Sequence, residues 1–187
     1  MIFEPVDLPG VVVVIPNRHA DDRGFFARTW CAREFAAAGL PSKLAQCSVS
    51  WNDRRHTLRG MHWEAAPERE SKLVRCTRGA IFDVVVDLRP ESPTYLRHVS
   101  LRLDSDDHRA LWIPPGMAHG FLTLMDGTEV LYQMDSFYAP GAERGARWDD
   151  PAFSIDWPAA PAVISERDRS FADFVVDSQA GGIPCRS

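Results

Sequence analysis

An all-β fold with short peripheral helices is what this sequence predicts, and three observations carry the prediction. Short apolar or β-branched segments recur at intervals of about ten residues between Lys72 and Met134, the rhythm of a sandwich or barrel. Turn signals separate them, RG at 78–79, RPESP at 89–93 and DG at 126–127. The strongest helical stretch, Cys31 to Ala38, is short and ends at Gly39.

In chain order, VVVVI at 11–15 is a β-branched strand stopped by Pro16 and Asn17. The helix at 31–38 follows. Strand segments are then expected at Lys72–Cys76, Ala80–Leu88, His98–Leu103, Ala110–Ile113, Phe121–Leu124 and Glu129–Met134. In IFDVVVDL, Asp83 and Asp87 share a face with Ile81 and Val85, so one inner face carries carboxylates. From residue 158, PAAPAVISERDRSFADF reads as a Pro/Ala connection and a short helix. The expected organisation is one domain over 1–187, with a core at about 10–157 and a segment at 158–187 packing over it.

Composition narrows the function classes. Apolar residues make up 45% and charged residues 25%, so the chain can bury a core and disorder is not the default. No apolar run approaches the roughly 20 residues that cross a bilayer, and MIFEPVDLPG lacks a signal-peptide layout. Cys31, Cys47, Cys76 and Cys185 form no CxxC pair, which fits reduced thiols and a cytoplasmic setting. A net charge of −5 argues against a nucleic-acid surface.

The chemistry concentrates in TLRGMHWEAAPERESKLVRC at 57–76, where His62 stands among apolar residues, fixed cations and glutamates. Three readings suit such a histidine: structural, metal-ligating, or a proton-transfer centre for an anionic substrate. A second histidine, His119, follows the Pro-Pro-Gly corner of WIPPGMAHGF, where it either braces the turn or faces a barrel mouth. Alternation groups Tyr132 with Val130 and Met134, either buried with its hydroxyl satisfied or donating into a cavity.

Eight motifs in order resemble one family: DDRGFF (21–26), LRGMH (58–62), KLVRC (72–76), FDVVVDLRPESPT (82–94), LWIPPGMAHGF (111–121), EVLY (129–132), WDDP (148–151) and ISERD (164–168). They resemble the dTDP-4-dehydrorhamnose 3,5-epimerases, sugar-nucleotide 3- and/or 5-epimerases. The resemblance implies a cupin-like jelly-roll barrel and a homodimer that exchanges N-terminal strands. It also implies that no cofactor or metal is needed. The implied substrate is a nucleoside-diphosphate 4-keto-6-deoxyhexose of deoxysugar biosynthesis, inverted at C3, C5 or both.

By that resemblance His62 is the base, since an imidazole titrating near neutrality suits a proton acidified by a ketone. Asp168 would orient its ring, Tyr132 would donate from the opposite face, and Lys72 would sit by the enolate oxygen. Arg23, Gln46, Ser48, Arg59, His119, Glu143 and Arg167 fall on substrate-binding positions, and guanidinium forks suit a diphosphate. Trp63, beside the base, is a candidate to line the sugar pocket.

The chain departs from the family pattern at Arg28, Ser48, Glu64 and Gln133, and the WNDRRH loop is one residue longer. Those changes leave the proton-transfer residues in place and bear on which hexose and nucleotide are taken. Two rival readings remain: a metal-dependent cupin using His62, Glu64 and His119, and a catalytically silent sugar-nucleotide binding protein.

Overall fold

A computed structural model describes residues 1–65 and 70–176. Strand β1 (Ile2–Pro5) precedes the β-branched run and pairs antiparallel with it as β2 (Val12–Ile15), Phe3 opposite Val14. The sheet therefore starts ahead of the expected boundary near residue 10. β3 (Arg18–Asp21) and β4 (Gly24–Ala27) form a separate two-stranded hairpin. Helix α1 (Ala32–Ala37) lies within the expected helical stretch. β5 (Gln46–Asn52), which its mixed polar sequence did not announce, comes next.

Six of the seven central strands overlap expected segments; the strand at 57–64 was not among them, and the one at 117–123 begins four residues ahead of the expected Phe121. The seven are β6 (Thr57–Glu64), β7 (Lys72–Arg78), β8 (Ala80–Asp87), β9 (His98–Asp104), β10 (Ala110–Ile113), β11 (Met117–Thr123) and β12 (Thr128–Met134). β13 (Glu143–Gly145), β14 (Val163–Ile164) and the one-turn helix α2 (Glu166–Arg169) complete the described chain. The expectation for the segment after 158 extends past residue 176, and its last part, with Cys185, lies outside the described residues. No helix among the described residues is long and apolar enough to cross a membrane.

One sheet runs β1-β2-β10-β7-β12-β5 and the other β13-β6-β11-β8-β9, with β14 added in parallel to β6. Their facing sides bury Val13, Val74, Ile81, Val85, Leu111, Phe121 and Val130. The outer sides are covered too. α1 lays Phe35 on Val14, Leu73 and Trp112, and the C-terminal segment brings Phe153, Trp157 and Phe174 onto Met61, Val84 and Val86. Double coverage is why VVVV and DVVVD read as continuous apolar runs instead of alternating ones.

Two details depart from expectation on this scaffold. Trp63 sits one pleat away from His62, so it turns to the outer face and packs edge-on against Phe174 at 5.9 Å. It is not among the residues lining the cavity beside His62. Arg75 of β7 is buried, against the usual exposure of arginine; burial pulls its guanidinium below its ordinary pKa, and nearby Asp107 opposes that fall. Asp87 is the buried clasp of the β8–β9 loop, accepting from Arg89, Ser92 and Thr94.

Candidate active site

His62 on β6 and His119 on β11 stand directly opposite one another in the register of the second sheet. The two backbones come unusually close just beside them. Gly60 has φ +129, and a Cβ there would fall 2.5 Å from the Gly120 Cα. Glycine on both strands is therefore required, which accounts for RGMH and AHGF as a matched pair. The pairing slips between His119 and Phe121, a bulge that re-aims side chains next to the site.

Each imidazole has its own carboxylate. His62 Nε2 lies 2.8 Å from Asp168 Oδ1, and His119 Nε2 lies 2.7 Å from Asp83 Oδ1. Asp168 belongs to α2, whose Ser165 N-cap accepts from the Asp168 amide at 3.0 Å. Burial would raise the Asp168 carboxyl, but the hydrogen bond and charge of His62 and the Gly60 amide outweigh it and hold it below the ordinary carboxylate range. Parallel pairing of β14 with β6 carries α2 to this place. Asp83 reaches His119 from the inner face of DVVVD, the face on which the sequence expects carboxylates.

Both histidines line one cavity of about 630 Å³. Tyr132 of β12 faces it from the opposite sheet, edge-on to His119 at 6.1 Å. Burial pushes the phenol well above its ordinary range, Asp83 pushes the same way, and Arg59 partly offsets them. Lys72, at the start of β7, lines the cavity and is paired with Glu70 at 3.1 Å. Glu70 was quoted in the motif but assigned nothing.

The expected binding residues divide into two groups. Ser48, Arg59, Glu143 and Arg167 line the same cavity. Arg59 is braced by Asn52 Oδ1 at 2.8 Å, and Arg167 pairs with Glu143 at 2.7 Å. Gln46 and Arg23 are not on this wall. Gln46 accepts from the Tyr138 amide at 3.2 Å. Arg23 sits at the tip of the β3–β4 hairpin, folded onto Asp21. One further residue was missed. Phe171 packs edge-on to His62 with ring centroids 6.1 Å apart, under Arg167 and tight against Gly145.

The arrangement suits proton transfer. An imidazole oriented by a carboxylate and a phenol that burial keeps protonated border one space, with an ammonium and guanidinium groups beside it. Among the described residues, no group of three His, Cys, Asp or Glu side chains is set to hold a metal ion.

Comparison with known proteins gives a consistent answer. The family model described as dTDP-4-dehydrorhamnose 3,5-epimerase matches residues 5–175. The dTDP-4-dehydrorhamnose 3,5-epimerase of Pseudomonas aeruginosa is 43% identical over 171 residues, 89% of this chain and 93% of that protein. The dTDP-4-dehydrorhamnose 3-epimerase of Streptomyces niveus is 37% identical over 98% of this chain and 89% of its own length. The crystal structure of the Bacillus anthracis dTDP-4-dehydrorhamnose 3,5-epimerase with TDP and pyrophosphate bound superposes with a TM-score of 0.89. It is 33% identical, covering 92% of this chain and 99% of that one.

Proposed function

From the premise that this chain belongs to the dTDP-4-dehydrorhamnose 3,5-epimerase family, we propose that His62 and Tyr132 are its acid–base pair. The enzyme is a sugar-nucleotide epimerase, acting on the carbons that flank the ketone of a nucleoside-diphosphate 4-keto-6-deoxyhexose. The observation that carries the role assignment is His62 and Tyr132 bordering one cavity from opposite sheets.

Asp168 occupies His62 Nε2, so Nδ1 is the nitrogen left to take a proton from the sugar. The electron pair of the broken C–H bond stays on the sugar as an enolate, whose oxygen lies by Lys72. Tyr132 returns a proton from the other face. Its burial makes the phenolate costly, so the hydroxyl stays protonated until a base as strong as an enolate carbon calls on it. Such a positioned pair supplies about 10²–10⁴-fold each. Arg59, Arg167, Ser48, His119 and Glu143 hold the diphosphate and sugar, the guanidiniums by forked hydrogen bonds.

The working unit is a homodimer in the cytoplasm. The β3–β4 hairpin exposes Phe26 at 74%, and β5 is a sheet edge showing Val49 and Trp51. A hairpin laid against the partner's β5 edge would cover both and deliver Arg23 to the partner's cavity. The free thiols of Cys31, Cys47 and Cys76 suit a reducing compartment.

The test is dTDP-4-keto-6-deoxyglucose offered in heavy water and followed by NMR. Deuterium should enter at C3, C5 or both, with inversion there. A sugar that remains fully protonated while bound to the enzyme would overturn the reading.

A further inference from the structure

The epimerase reading leaves a proton account open. Every inversion adds a proton to His62 and removes one from Tyr132, so one must leave and one must enter before the pair works again. Asp168 is no exit. Its side chain is 6% exposed, and its two oxygens are taken by His62 and by the Gly60 amide. The other ring nitrogen has a different neighbour. Glu143 Oε1 lies 3.8 Å from His62 Nδ1, a gap that one water or a small rotation closes.

Glu143 is also fixed in a suitable pose. Arg167 holds Oε2 at 2.7 Å, which leaves Oε1 turned to the imidazole. The Glu143 side chain is 31% exposed and that of Arg167 53%, so this carboxylate reaches both the base and water. Phe171 closes the ring on another side.

We infer that Glu143 is the proton outlet of His62, a relay role that rests on the epimerase reading and goes beyond gripping the sugar. The sugar proton passes to Nδ1, its C–H electron pair remaining as the enolate. Nδ1 then passes the proton to Glu143 Oε1, which gives it to bulk water. The Tyr132 phenolate takes a proton from water in its turn, so the cycle is neutral overall.

The experiment compares the native enzyme with Glu143→Gln and Arg167→Gln, on dTDP-4-keto-6-deoxyglucose in heavy water at several imidazole buffer concentrations. The native enzyme should run at a rate independent of buffer. Glu143→Gln should give a burst of a single exchange per site, then a steady rate lower by roughly 10- to 100-fold that climbs as buffer is raised. Arg167→Gln, which keeps the carboxylate, should raise KM without burst or buffer dependence. Linear, buffer-independent progress by Glu143→Gln with only a raised KM would overturn the relay. So would the same burst in Arg167→Gln, since the defect would then follow the ion pair. A native enzyme that takes up no deuterium would instead remove the epimerase reading itself.

Discussion

Asp168 Oδ1 and His62 Nε2 meet at 2.8 Å across 106 residues of chain, joining helix α2 to strand β6. That contact favours the tautomer with its proton on Nε2, and in the proposed mechanism Nδ1 is then the base. His62→Ala should therefore abolish deuterium exchange at the sugar while ligand binding persists. Asp168→Asn keeps the shape and loses the charge, and should lower kcat by roughly 10²–10⁴-fold with little change in KM. Near-normal turnover by His62→Ala would end the assignment.

Tyr132→Phe should separate the two halves of the reaction. Proton removal by His62 survives, so deuterium still enters from the original face, while inversion drops by about 10²-fold or more. The ratio of exchanged to inverted sugar, read by NMR on one sample, is the measurement. An unchanged ratio would place the donor elsewhere.

Gly145 is a packing requirement beside His62. A Cβ at this position would come within 2.2 Å of the Phe171 ring, which itself rests on His62. Gly145→Ala should push that ring against the imidazole and cut kcat by about 10-fold, with KM nearly unmoved. Steady-state kinetics alongside a melting curve distinguishes this from general loss of folded protein.

The exposed hairpin predicts dependence on a partner. Phe26→Asp should turn a dimer into a monomer by light scattering and lose most activity at assay concentrations. An active monomer would show that Arg23 is not needed from a second copy.

Asp87 sets an acid limit on stability. Burial would raise its pKa, but Arg89, Ser92 and Thr94 bring it down to about 2. A folded-state value below the unfolded one stabilises above the unfolded pKa and is lost as pH falls through the folded pKa. The window here is about pH 4 down to about 2, and the contribution is about 2 kcal/mol. Asp87→Asn should lower chemical stability by that order at pH 7 and have little effect near pH 2.

Strand positions, the central histidine and the cavity tyrosine were legible because they follow from local rules. Period-two patterning, turn residues and ordered motifs act within a few residues of chain. Trp63 was misplaced by the same locality, since adjacency to His62 in sequence puts it on the opposite face of the sheet. β5 was missed because an exposed edge strand has little apolar pattern to show.

The sequence by itself determined the all-β class, the chemical types at the site and the order of the motifs. The motif resemblance already paired Asp168 with His62; only the tertiary structure set Asp83 on His119 and brought Glu143 within 3.8 Å of the remaining His62 nitrogen. The physical reason is range. Backbone preferences are fixed by near neighbours, whereas a proton path depends on ångström separations between groups that meet only after the sheets have packed.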